Sequence, residues 1–186
     1  MFGKTDVDLH SIVMTVTVLV AGAAVVMDLL RGKIFNWLTL PSLLIGVVAS
    51  TAFRGVAGLE SSLAGAFLGL ALFGWMFWLG AIGGGDVKLL MAFGAWVGGV
   101  RPVVEIAFLS VMLGGGLSIL ILIVKGRAFA FARKAYDFFL SLFVKELAVN
   151  PPKIDRKLKM PFGIPISAAA VWVVCDNPFE RWGHFL

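Results

Sequence analysis

Two aspartates stand where a lipid-embedded chain has little reason to keep them. Asp86 lies in the stretch Ala81-Ile82-Gly83-Gly84-Gly85-Asp86-Val87-Lys88-Leu89-Leu90, between long apolar runs. A carboxylate at the border of a membrane span is costly and by default marks function. The glycines before it allow a sharp turn and a close approach by other groups. Asp28 closes an uncharged apolar run over residues 11–27. Two such side chains in a partly dry pocket cannot both ionise easily, so they share a proton and titrate as a pair. One can then take a proton from water while the other donates to a peptide carbonyl oxygen. That is aspartic-protease chemistry, and it needs neither a metal nor a nucleophilic side chain.

Each aspartate also has a plainer reading. Asp86 at a helix start suits the positive end of the helix dipole, and Lys88 is close in sequence. Asp28 has Arg31 and Lys33 nearby. Lys88 itself reads as a snorkelling membrane anchor. A proton- or cation-coupled transporter would use the same two carboxylates, but no further acidic residue continues a path at mid-span. Other catalytic chemistry has less support. The two histidines, His10 and His184, fall on the side opposite the aspartates, so a His–carboxylate metal site lacks ligands. Ser110, Ser118 and Ser167 have no histidine at their depth. Cys175 is the single cysteine, which excludes an intrachain disulfide and a cysteine-rich zinc site. No cofactor is implied.

The elements that must position the pair are membrane helices. Of the 186 residues 60% are apolar and 15% charged, and the mean hydropathy is +0.97. The expected class is an all-α polytopic membrane protein forming a single integral-membrane domain over residues 1–186. Six spans are predicted at about 9–28, 34–53, 61–81, 87–100, 103–124 and 161–177. Residues 54–60 read as a polar break between the second and third. Gly65 and Gly69 in the third span, and Gly94 and Gly98 in the fourth, have the spacing that lets helices pack closely. Residues 125–160 form a basic loop in which Arg127, Lys134, Asp137, Ser141 and Lys145 share one helical stripe. Phe129, Ala132, Tyr136, Phe139 and Phe143 share another. This predicts an amphipathic helix on the membrane surface, with anionic lipid as its partner.

Six spans put both termini on one side. The loops after spans one, three and five then carry twelve of the sixteen Lys and Arg residues. The positive-inside rule places those loops in the cytoplasm and both termini outside. Asp28 and Asp86 then fall together at the cytoplasmic end of the bundle. The net charge of +5 follows from this topology and does not signal nucleic-acid binding.

The residues around both aspartates resemble a known family. Gly83-Gly84-Gly85-Asp86-Val87-Lys88-Leu89-Leu90 resembles the GxGDxKLL motif of type IV prepilin peptidases, the GxGD membrane aspartic proteases. The run from Asp28 through Ile34-Phe35-Asn36-Trp37-Leu38-Thr39-Leu40-Pro41 resembles that family's first-aspartate segment, with Phe35 where proline is frequent. Met160-Pro161-Phe162-Gly163-Ile164-Pro165 resembles its late P-F/Y-G segment. The resemblance implies that Asp28 and Asp86 form the catalytic pair. Gly83, Gly85, Lys88, Pro161, Phe162 and Gly163 would support it. It implies a prepilin or pilin-like precursor as substrate, cut between its basic leader and its apolar helix at the cytoplasmic face of the inner membrane. The chain lacks the cysteine-containing insertion of larger members, so it is similar to the short, peptidase-only form of Flp/tight-adherence pili. Methyltransferase activity is unsupported, and an archaeal preflagellin peptidase is similar in kind.

The basic loop would not attract a basic leader. Neutralising Lys153, Arg156, Lys157 and Lys159 is expected to weaken binding to anionic vesicles more than precursor cleavage. Loss of cleavage as deep as that of Asp86→Asn would overturn this reading of the loop.

Overall fold

A computed structural model describes residues 4–124, 126, 133 and 162–176. The basic loop and its expected amphipathic helix lie outside the described residues, apart from Gly126 and Arg133, as do Pro161 and His184. The chain divides into two units, residues 1–114 with 161–186, and residues 115–160. Five helices are described: α1 (Lys4–Arg31), α2 (Asn36–Trp78), α3 (Gly84–Val97), α4 (Val100–Val124) and α5 (Gly163–Asp176). No strand occurs among the described residues. At least three helices, in α1, α2 and α4, are long and apolar enough to cross a membrane. The protein is therefore an all-α polytopic membrane protein.

The largest departure from the expected spans is α2. Its 43 residues would reach about 65 Å if straight, roughly twice the hydrocarbon thickness. It does not run straight. Gly55 takes φ +63° and ψ −141°, a conformation that L side chains rarely adopt, and the helix breaks there. The chain folds back on itself at that point. A β-carbon at Gly58 would run into the Ser50 carbonyl. The expected polar break over 54–60 is thus helical, with its turn confined to one glycine. The two arms meet α3 in opposite directions. Asn36, Ser42 and Gly46 of the first arm touch Lys88 and Trp96 in ascending order. Gly65, Gly69 and Phe77 of the second arm meet Gly94, Leu90 and Gly84 in descending order.

The arms clasp α3, which is apolar on all sides and correspondingly buried. Leu89, Leu90, Ala92, Phe93 and Ala95 are completely inaccessible. At 14 residues it reaches about 21 Å, short of a full bilayer crossing. In lipid, helix association rests on close packing and interhelical hydrogen bonds, because burying apolar surface gains little there. Gly65 and Gly94 provide the first of these, their backbones in direct contact. Ser62 and Ser42 provide the second. Ser62 donates to the Ala95 carbonyl (2.7 Å), and Trp96 Nε1 donates to Ser42 Oγ (3.2 Å). The Ala95 carbonyl is near the helix end, where intrahelical donors run out.

Gly98 adds a capping role to its expected packing one, since a β-carbon there would stand 3.2 Å from Ser61 Oγ. It ends α3 with φ +69°, and its N–H bonds the Gly94 carbonyl. Gly99 follows with φ +74° and donates to the Ser61 carbonyl at 2.9 Å, fixing the turn into α4. α4 begins at Val100, earlier than expected, and holds Pro102 in its first turn, where a missing N–H is harmless. α5 packs on α1. Val20, Ala21 and Ala24 of α1 join Ile166, Ala169, Ala170 and Val173 of α5 in one apolar cluster, which also holds Leu89, Leu90 and Phe93 of α3.

Gly94→Ala is expected to force the α2–α3 contact apart and destabilise the fold by about 1–3 kcal/mol. Gly22→Ala, with nothing within 4 Å of its new carbon, is expected to be neutral. Thermal unfolding of the detergent-solubilised protein measures both.

Candidate active site

Asp28 sits in the last turn of α1. Gly32, at φ +59°, donates to the Asp28 carbonyl at 2.8 Å and closes the helix. The chain then passes through Lys33, Ile34 and Phe35 into α2. Asp86 sits in the first turn of α3, which starts at Gly84, so two of the three motif glycines are already helical. Gly83 is the N-cap, with an extended backbone (φ −83°, ψ 151°).

Both carboxylates are buried in the bundle, with Asp28 7% exposed and Asp86 9%. Each is anchored in the same way, by one glycine N–H on one oxygen. Gly163 N donates to Asp28 Oδ2 at 2.9 Å, and Gly83 N donates to Asp86 Oδ2 at 3.0 Å. Asp86 thereby caps its own helix, as the plain reading expected. The expected ion pairs do not form. Among the described residues neither aspartate makes a salt bridge. Arg31 lies over the Phe35 ring, 5.2 Å from its centroid. Lys88 Nζ donates to Asn36 Oδ1 at 2.9 Å, tying the start of α2 to the first turn of α3. The two aspartates are brought to the same end of the bundle by Ile34, which abuts Gly163 on one side and Gly85 on the other.

The remaining expected site residues lie around this pair, except Pro161, which is outside the described residues. Phe162 packs edge-on against Phe73 of α2, with ring centroids 6.3 Å apart at 73°. Gly163 and Gly85 are positions where backbone must come close. A β-carbon at Gly163 would stand 2.8 Å from Asp28 Oδ2 and 2.7 Å from Ile34 Cδ1. One at Gly85 would stand 2.8 Å from the Ile34 carbonyl oxygen. Three segments distant in sequence thus meet at one end of the bundle. Among the described residues no three His, Cys, Asp or Glu side chains gather as a metal site would require.

Sequence reasoning missed two contributors. Asn36 was visible as a polar residue at a span entrance, and only the fold reveals it as the acceptor for Lys88. Ile34 carried no signal, being one aliphatic residue among many.

A polytopic helical bundle that brings two buried carboxylates to one end defines a class of membrane protein that holds acidic groups out of water. The family model of the type IV leader peptidase family matches residues 13–119, more than half of the chain. The chain belongs to that family, and is a membrane-embedded aspartic-type endopeptidase acting on pilin-like precursors. The match spans both aspartates and ends before Phe162 and Gly163. No curated protein and no solved structure matches the chain.

Gly163→Ala is expected to push the Asp28 carboxylate off its N–H donor and lower precursor cleavage by about tenfold or more, since small displacements of reacting groups are costly. Gly74→Ala, whose added carbon meets only the tip of Leu70 at 3.6 Å, is expected to cleave normally. Initial rates on one precursor compare them.

Proposed function

We propose that Asp28 and Asp86 are the catalytic pair of this peptidase, and that they remove the basic leader from a prepilin of the Flp type at the cytoplasmic face of the inner membrane. The observation that carries the reading is the matched anchoring of the two carboxylates. Each has one oxygen fixed by a glycine N–H, and Ile34 abuts both Gly163, which holds Asp28, and Gly85, which precedes Asp86.

The pair holds one proton between its members. The ionised carboxylate removes a proton from water, and the resulting hydroxyl oxygen bonds to the scissile carbonyl carbon. The protonated carboxyl gives its proton to the carbonyl oxygen. The tetrahedral diol then collapses: the carbon–nitrogen bond breaks, the leaving nitrogen takes the proton that the first carboxylate drew from water, and one diol hydroxyl gives its proton to the other carboxylate, so the pair again holds one proton. Water is consumed, and one carboxyl and one amine are released. The glycine N–H groups keep each carboxylate pointing inward while its charge changes. Gly83, Gly85 and Gly163 admit backbone where a side chain would collide. Phe162 and Pro161 lead the chain into α5, and Lys88 braces the first turn of α3 through Asn36.

The topology agrees with this reading. Counting α2 as two arms gives six membrane segments in one peptidase domain. Both termini then face outward, and the basic residues of 125–160 lie inside against anionic lipid. A precursor with a basic leader followed by an apolar helix would present its scissile bond at the depth of the aspartates.

Asp28→Asn and Asp86→Asn are each expected to lower cleavage by about 10²–10⁴-fold. The assay is the loss of a leader-length fragment from a purified precursor. A folded variant that still cuts at the full rate sinks the assignment, and proton-coupled flux without cleavage would favour a transporter.

A further inference from the structure

Ile34 is the residue that touches both halves of the site. It lies in the short connection between α1 and α2, after the left-handed Gly32 and before the extended Phe35. It is 8% exposed. Its backbone abuts Gly85, the residue that immediately precedes Asp86. A β-carbon at Gly85 would meet the Ile34 carbonyl oxygen at 2.8 Å and Ile34 Cβ at 3.1 Å. The far end of its side chain abuts Gly163, whose N–H holds Asp28. A β-carbon there would meet Ile34 Cδ1 at 2.7 Å. Ile34 therefore fills the space between the glycine that leads into one aspartate and the glycine that anchors the other.

We propose that Ile34 is a positioning residue, a spacer whose side-chain length sets the separation of Asp28 from Asp86. The proposal rests on the assignment of those aspartates as the catalytic pair. The physical argument is one of rigidity. A β-branched side chain has restricted χ1 freedom, and burial of Ile34 with its Cδ1 against Gly163 limits the remaining rotation. Packed interiors transmit such distances because they do not compress. The contacts on both sides are glycines, so neither neighbour has a flexible side chain to absorb a change. Shortening Ile34 lets Gly163, and the carboxylate bound to it, drift relative to Gly85. Ile34 itself touches no substrate in this scheme.

An ordinary core role makes a different forecast. Ile34 also belongs to the main apolar cluster, and truncation of any core residue removes packing. A purely structural loss would show as less folded protein with normal turnover per folded molecule. A spacer acts on turnover itself. It also couples to Gly163, because replacing isoleucine by valine removes one of the two groups that a new β-carbon at position 163 would strike, the other being the Asp28 carboxylate.

The experiment uses the full chain in detergent with a synthetic precursor spanning a basic leader and the start of an apolar helix. kcat, KM and thermal midpoint are measured for Ile34→Val, Ile34→Ala, Gly163→Ala and the double variant Ile34→Val with Gly163→Ala. Ile34→Ala is expected to lower kcat by about 10- to 100-fold with KM within about twofold. Ile34→Val should fall in between. The double variant should lose several-fold less than the product of the two single losses, which is what independent sites would give. A wild-type kcat for Ile34→Ala overturns the spacer role. So does a double variant whose loss equals that product, a comparison that stands even if the alanine variant fails to fold. Asp28→Asn and Asp86→Asn are run alongside. If they cut normally, the catalytic assignment falls and the spacer with it. If they are inactive while Ile34 proves indifferent, the spacer alone is wrong.

Discussion

The structure depends on giving a hydrogen-bond donor to each carboxylate that it takes out of water. An ionisable group inside a bundle is expensive unless it is bonded, and this chain supplies glycine N–H groups for the task. The choice has consequences for everything nearby. At Gly163 the approach to Asp28 leaves no room for a β-carbon, which would stand 2.8 Å from Asp28 Oδ2. Gly83 meets the same limit, since a β-carbon there would stand 3.0 Å from Asp86 Oδ2. Lysine or arginine partners would have satisfied the carboxylates more strongly. They would also have favoured the ionised form of both, against the proton exchange proposed for the pair. The basic residues nearby are engaged elsewhere, Lys88 with Asn36 and Arg31 with Phe35.

Close backbone approach is also how the scaffold holds together. With lipid outside, α3 gains little from being apolar. It is fixed by contacts such as Gly65 on Gly94, and by Ser62 on the Ala95 carbonyl. Asp86 is thus carried on a helix gripped along its length by both arms of α2. Asp28 is carried on the pair of α1 and α5. The two supports share one apolar cluster, and the short connection through Ile34 touches both near the aspartates.

Much of this was legible in the sequence because the informative residues are rare types in an apolar background. Two aspartates at span borders, glycines before one of them and a late Phe162-Gly163 step stand out against a chain that is 60% apolar. The spacing of Gly65 and Gly69 announced close packing for the same reason. What was illegible depended on backbone conformation or on identity among equals. Residues 54–60 carry polar groups and read as a loop, yet helical hydrogen bonding continues on both sides, and Gly55 alone takes up the reversal. Gly98 shares its spacing with Gly94 and packs on Ser61, but the spacing gave no sign of the positive φ that also makes it a cap. Ile34 looks like any other aliphatic residue, and only its place between two glycines distinguishes it.

The family match ends at residue 119, yet the donor that holds Asp28 comes from residue 163. The portion of the chain that defines the family therefore leaves one of its aspartates without a hydrogen-bond partner among the described residues. Closing the site requires the chain to return, after the long basic segment, and seat α5 against α1. Helix association in lipid is weak per contact, and Gly163 is the first residue of α5. Its N–H is one that the helix itself cannot use, so donating it to Asp28 satisfies an orphan donor and an otherwise unpaired acceptor with a single bond. That bond makes the docking of the last helix and the orientation of the first aspartate the same event.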